Sequence, residues 1–87
     1  MPKWIEFEHY PPKKDKKTSL WIVKAKEGGV SLGLIKWYGA WRTYAFFPAN
    51  DTIYEDDCLR DIAQFIEDRM HERMVEKIKN NLIKEKI

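Results

Sequence analysis

Residues 3–9, Lys-Trp-Ile-Glu-Phe-Glu-His, alternate in character: Ile5 and Phe7 fall on one side, Trp4, Glu6 and Glu8 on the other. Alternation with period two predicts a half-buried strand. Pro11 and Pro12 end it, because proline supplies no ladder donor. Residues 18–27, 30–38 and 41–48 read as three more strands, punctuated by Gly28-Gly29 and Gly39-Ala40. Thr52–Tyr54 reads as a short extended piece. From about residue 55 the period changes. Leu59, Ile62, Ala63 and Ile66 recur at spacings of three and four, and Met70, Met74, Ile78 and Leu82 continue at four. That spacing marks an amphipathic helix. Residues 55–87 contain no Gly or Pro, so one helix over about 55–84 is predicted. The expected fold is α+β in a single domain, residues 1–87. An antiparallel meander of three to four strands (3–48) carries the long C-terminal helix on one face.

The turns assign the faces. A two-residue Gly39-Ala40 turn of type II′ pairs Tyr38 with Trp41, which sets Ile35 opposite Tyr44 and Gly33 opposite Phe46. A three-residue loop at Glu27-Gly28-Gly29, with Gly29 left-handed, brings Trp21 and Val23 to the same side. Gly33, Ile35, Trp37, Tyr44 and Phe46 then share the face under the helix, with Gly33 as the small residue that lets the helix approach. The opposite face carries Lys24, Lys26, Lys36, Tyr38, Trp41 and Thr43, interleaved with Leu20, Ile22, Leu32, Leu34, Ala45 and Phe47. It is too basic for a core and too apolar for an ordinary solvated surface.

Composition narrows the function more than the fold. With 87 residues there is no room for a cofactor domain beside a substrate domain. One cysteine excludes an internal disulfide framework, and Cys58 with only His9 and His71 makes a poor metal set. No apolar run approaches the roughly 18 residues of a membrane span. The first residues, Met-Pro-Lys-Trp-Ile-Glu, have no apolar signal core, so the expected location is the cytoplasm. The net charge of +2 conceals segregation. Residues 1–50 balance to +5, residues 51–68 to −6 and residues 69–87 to +3. Acids at a helix start and bases at its end suit the helix dipole. The basic first half is not explained that way, and such a field steers polyanions.

Several groups carry candidate chemistry. Trp37-Tyr38-Gly39-Ala40-Trp41-Arg42-Thr43-Tyr44 puts Tyr38, Trp41 and Arg42 at a hairpin tip, where such side chains form hot spots or stack on bases. Lys13, Lys14, Lys16 and Lys17 lie in one loop and could neutralise phosphates, as could Lys24 and Lys36. Asp51, Glu55, Asp56 and Asp57 could be read as metal ligands, but acids in a first helical turn satisfy orphan N–H groups and the dipole. Cys58 is expected to be a buried, inert thiol and His71 a solvated histidine. Met70, Met74, Ile78 and Leu82 form a stripe that outruns the sheet, and the surplus is expected either to fray or to contact a second copy of the chain or a partner. No two candidate catalytic groups have a reason to meet, so neither an enzyme nor a small-molecule substrate is expected, and no cofactor or metal.

The segment Leu32-Gly33-Leu34-Ile35-Lys36-Trp37-Tyr38-Gly39-Ala40-Trp41-Arg42-Thr43-Tyr44-Ala45-Phe46-Phe47-Pro48, followed by Cys58-Leu59-Arg60-Asp61-Ile62-Ala63-Gln64-Phe65-Ile66, resembles small uncharacterised proteins carried by phages and prophages. The likeness spans about residues 1–68. It implies a phage accessory protein acting inside the host cell, on host defence or DNA metabolism. The architecture, three antiparallel strands and a helix, is similar to the arm-binding domains of phage integrases and to a class of plant DNA-binding domains. In those the face opposite the helix enters the DNA groove. Two readings follow for the outer face. One is nucleic-acid binding through Lys24, Lys36, Tyr38, Trp41, Arg42 and the Lys13–Lys17 loop. The other is docking on a host protein, such as a host defence complex, through the interleaved Leu and Ile side chains.

Overall fold

The computed structural model describes residues 3–85, with side chains up to Asn80. Four strands, β1 (Ile5–Tyr10), β2 (Leu20–Ala25), β3 (Ser31–Tyr38) and β4 (Thr43–Pro48), precede one helix, α1 (Asp56–Glu85). The strands form an antiparallel sheet in sequence order. The fold is therefore α+β, as the periodicity predicts, with the first strand hydrogen-bonded to β2 as a fourth, edge member. Thr52–Tyr54 adds no strand.

Both hairpins keep the predicted faces, but one reaches them by a different turn. Trp21 pairs with Ile35 and Val23 with Gly33, as the Gly28-Gly29 loop requires. Gly28 and Gly29 both have positive φ, at 82° and 67°, and a bulge follows at Val23/Lys24. The β3–β4 turn is not the two-residue Gly39-Ala40 turn. Tyr38 pairs with Thr43, so Gly39, Ala40, Trp41 and Arg42 all lie in the turn. Trp41 N–H donates to Tyr38 O (3.2 Å) and Arg42 N–H to Gly39 O (3.3 Å), and Arg42 is left-handed at φ 53°. The register moves by two residues, to Ile35–Phe46 and Trp37–Tyr44. A shift of two preserves every face, because side chains alternate with period two.

Ile5, Trp21, Val23, Ile35 and Tyr44 from the sheet meet Cys58 and Ile62 from the helix in the buried core. Ile5, Val23 and Ile35 are sealed almost completely. Such side chains contribute about 1.5–3 kcal/mol each through burial. Phe7 stacks on Phe65 at 4.0 Å between centroids, and Trp21 meets Tyr44 and Phe65 edge-on at 5.2 Å. Trp37, Phe46 and Ile66 are half-buried around that centre. The small residue Gly33 does not admit the helix. It admits the Phe46 ring and the Phe47 carbonyl of the neighbouring strand.

The helix stripe differs from the predicted one by a rotation. Leu59 and Ala63 are exposed, while Cys58, Ile62, Phe65, Ile66, Arg69 and Met70 face the sheet. Glu55 starts the helix. Its carboxylate accepts Cys58 N–H at 2.6 Å and its carbonyl accepts Leu59 N–H at 3.1 Å, the pattern of an N-cap. The 30-residue helix is about 45 Å long at 1.5 Å per residue. The longest strand has eight residues, about 27 Å. The helix therefore overhangs the sheet, and the molecule measures 51 × 26 × 23 Å.

Candidate nucleic-acid interface

Antiparallel order puts the β1–β2 loop, the β3–β4 turn and the overhanging half of α1 at one end of the molecule. The β2–β3 loop and the acidic start of the helix lie at the other. The Ser19 N–H bond to Tyr44 Oη (3.2 Å) ties the lysine loop to the first residues of β4. Charge segregated along the sequence thus becomes charge segregated in space. Asp51, Glu55, Asp56, Asp57 and Asp61 sit at the far end. Lys13, Lys14, Lys16, Lys17 and Arg42 gather at the near one. These five cations are exposed and have no carboxylate partner among the described residues.

The outer sheet face is built in rows fixed by the register. Glu8, Ile22, Leu34 and Phe47 form one row across the four strands, and Tyr10, Leu20, Lys36 and Ala45 the next toward the basic end. Tyr38 and Thr43 close the face at that end. Leu20, Ile22, Leu34, Ala45 and Phe47 are half-buried by one another, with no element of the described chain over them. Lys36 Nζ stands 4.6 Å from the Phe47 ring centroid. Tyr38 touches Trp41 edge-on at 4.9 Å and Phe47 at 6.0 Å. Trp41 is 73% exposed, which places the indole at the tip of the turn with its surface free.

The structure therefore brings together Lys36, Tyr38, Trp41, Arg42 and the Lys13–Lys17 loop at one end of the sheet. Lys24 is not with them. It lies toward the acidic end, opposite Glu6, and forms an ion pair with Glu8. The Lys24 bond, then the Tyr10 hydroxyl at 3.0 Å, hold the Glu8 carboxyl below its ordinary pKa. Glu8 in turn raises the pKa of Lys24. Sequence reading missed this pairing, although Glu8 and Lys24 both point away from the helix and their strands are adjacent. Lys26, the other lysine of β2 and its loop, has its backbone N–H bonded to Trp4 O at 3.0 Å.

The remaining candidates are also placed. Glu55, Asp56 and Asp57 offer carboxylate oxygens within 4.8 Å of one another, all exposed. Their bonds serve the helix: Glu55 caps it, Asp56 accepts Asp57 N–H at 3.0 Å, and Arg60 pairs with Asp57 at 3.1 Å and Asp56 at 3.3 Å. The Cys58 side chain and backbone N–H keep the Glu55 carboxyl below its ordinary pKa. Burial, then the bond to Glu55, raises the Cys58 thiol pKa. That is the profile of an inert thiol. His71 is exposed. Of the proposed association stripe, Met70 packs beside the core, Met74 and Ile78 are 61% and 51% exposed, and the Leu82 side chain lies outside the described residues.

Two functional candidates lay unread in the sequence. Arg73 reaches over the end of the sheet with its guanidinium carbon 4.4 Å from the Trp37 ring centroid. Lys77 follows it along the same groove. The signal was present, since Arg73 continues the sheet-facing row of Ile62, Ile66 and Arg69 at helical spacing.

Among the described residues no helix is long and apolar enough to cross a membrane. No family model matches the chain, and no solved structure matches it. The chain is similar to an uncharacterised 9.3 kDa protein of Acholeplasma phage L2, with 40% identity over 58 residues. The aligned region covers 67% of this chain and 74% of the phage protein. This extent of likeness places the chain in the family of that small phage protein.

Proposed function

We propose that the chain is a non-enzymatic phage accessory module that binds nucleic acid in the host cytoplasm through the basic-aromatic end of its sheet. The observation that carries the reading is the setting of Trp41. Its exposed indole stands against Tyr38, whose ring also meets the Phe47 ring that Lys36 covers, and Arg42 follows it in the turn, at the same end as the four-lysine loop. Lys36 and Arg42 also lack a carboxylate partner among the described residues. Aromatic platforms supply sequence-tolerant stacking and unpaired cations supply backbone attraction. The binding site is shorter than the whole outer face, because Glu8 already neutralises Lys24. Fluorescence anisotropy with a single-stranded oligonucleotide tests this. Trp41→Ala is expected to weaken binding by about 1–3 kcal/mol. Equal affinity of the variant and the parent removes the stacking role.

The row Ile22, Leu34, Phe47, with Leu20 beside it, favours a second reading: docking on a host protein, for instance a component of a defence complex. Here Leu34→Asp should abolish a nuclease-resistant pull-down from host lysate. Lys36→Ala should leave it nearly intact, as hot-spot and rim positions behave. A pull-down lost on nuclease treatment counts against this reading and for the first.

A further inference from the structure

The helix side of the sheet carries a groove that the outer-face reading does not use. It runs between the overhanging half of α1 and the basic end of the sheet, lined by His9, Lys17, Trp37, Arg42, Arg73 and Lys77. The helix leaves the sheet here, and Trp21, Tyr44, Ile66, Met70 and Met74 form the apolar floor of an open space. Glu67, Glu72 and Glu76 also border it, and Arg69 pairs with Glu72 at 2.9 Å. Lys17, Arg42, Arg73 and Lys77 have no carboxylate partner among the described residues.

Arg73 is the central feature. It occupies a sheet-facing position where an apolar residue would extend the core, yet it is exposed. Its guanidinium rests 4.4 Å from the Trp37 centroid and 6.0 Å from that of Tyr44. A guanidinium held against an aromatic ring by cation–π attraction loses freedom before any ligand arrives. Its in-plane N–H edge can still donate two parallel bonds to a phosphate. Lys17 and Arg42 project from the sheet end and Lys77 from the next turn of the helix, so cations flank that edge on both walls. Lys17 and Arg42 also border the outer-face site, which makes the groove continuous with it around the sheet end.

We propose that this groove holds the phosphodiester backbone of a single-stranded nucleic acid, with Arg73 on Trp37 gripping one phosphate; the inference rests on the nucleic-acid reading above and extends its path. A concave channel bordered by Gly39 and Arg42, in the turn that also carries the exposed Trp41, suits a single strand. A duplex keeps its bases stacked and offers Trp41 no free face.

The test is binding of the full chain to oligothymidylate, measured across a salt series. Each phosphate contact in a single strand contributes about 0.7 to the log–log salt slope. Arg73→Gln should lower affinity by about tenfold and reduce the slope by about 0.7. Arg73→Lys should restore the slope but not the affinity, because the paired donors are gone. Lys77→Gln, at an exposed position that folding does not need, should also reduce the slope. If Arg73→Gln and Lys77→Gln both bind like the parent while Trp41→Ala weakens binding, the groove is wrong and the outer-face reading stands. Failure of the parent chain to bind at low salt overturns both. A matched duplex bound as tightly as the single strand overturns the single-strand assignment. Oligouridylate in parallel separates RNA from DNA as the source of the backbone, and the same Arg73 dependence with either supports the groove.

Discussion

Phe46 lies across the backbone of Gly33, so close that a Cβ at residue 33 would stand 2.7 Å from Phe46 Cε1 and 2.6 Å from the Phe47 carbonyl oxygen. The glycine is required by packing within the sheet. Phe46 in turn meets Tyr54 edge-on at 5.3 Å, and the Tyr54 hydroxyl donates to the Leu32 carbonyl, so the ring has little room to retreat. Gly33→Ala should therefore destabilise the protein by about 1–3 kcal/mol, the usual cost of overpacking. For a domain of this size, each kcal/mol lowers Tm by roughly 4–8 °C. A thermal melt coinciding with that of the parent contradicts the packing account.

Acid should weaken the fold through two carboxylates. Glu8 is held below its ordinary pKa by the Lys24 bond and then by Tyr10. Glu55 is held below it by the Cys58 side chain and backbone N–H. A group whose folded pKa is depressed contributes stability above its unfolded pKa and loses it as pH falls through the folded value. Urea midpoints should therefore be steady near neutrality and decline below about pH 5. Glu55→Gln should flatten part of that decline. Parallel pH profiles for parent and variant would show that the cap carries no charge-dependent stability.

The overhanging helix gives a prediction about assembly. Met70, Met74 and Ile78 recur every four residues, and each such step turns the stripe by about 40° at 100° per residue. The stripe accordingly winds off the sheet and leaves Met74, Val75 and Ile78 exposed. We expect the chain to self-associate through it at high micromolar concentration, and Ile78→Glu to return it to monomer in sedimentation velocity. A parent chain that stays monomeric across that range excludes a homodimer through this stripe.

The architecture was legible in the sequence because its signals are periodic. Ile5 and Phe7, and then Trp21, Val23 and Ile35, declare their face by alternation alone. The β3–β4 turn shows why the face survived a wrong turn assignment. Four residues in place of two displaced the register by an even number. Period-two reasoning is blind to such a shift, and so the error never reached the core. Leu59 and Ala63 misled for a different reason. Both are apolar at helical spacing, but the arc that meets the sheet is set by Cys58, Ile62 and Phe65, and a helix of this length has apolar residues to spare. The site was half legible. Lys36, Tyr38, Trp41, Arg42 and the lysine loop converge because turns at one end of a meander must. The neutralisation of Lys24 depended on β1 pairing with β2, and the Trp37–Arg73 contact on where the helix crosses the sheet. Neither relationship is local in sequence.

The central claim is that the basic-aromatic end of the sheet binds a nucleic-acid backbone. The salt dependence of oligothymidylate binding, compared between the parent chain and Lys36→Ala, tests it most directly. Affinity of the parent should fall linearly on a log–log plot, by about 0.7 per phosphate contacted. Lys36→Ala should lower that slope by about 0.7, the loss of one phosphate contact. Absence of binding at low ionic strength, or a slope that Lys36→Ala leaves unchanged, would contradict the claim.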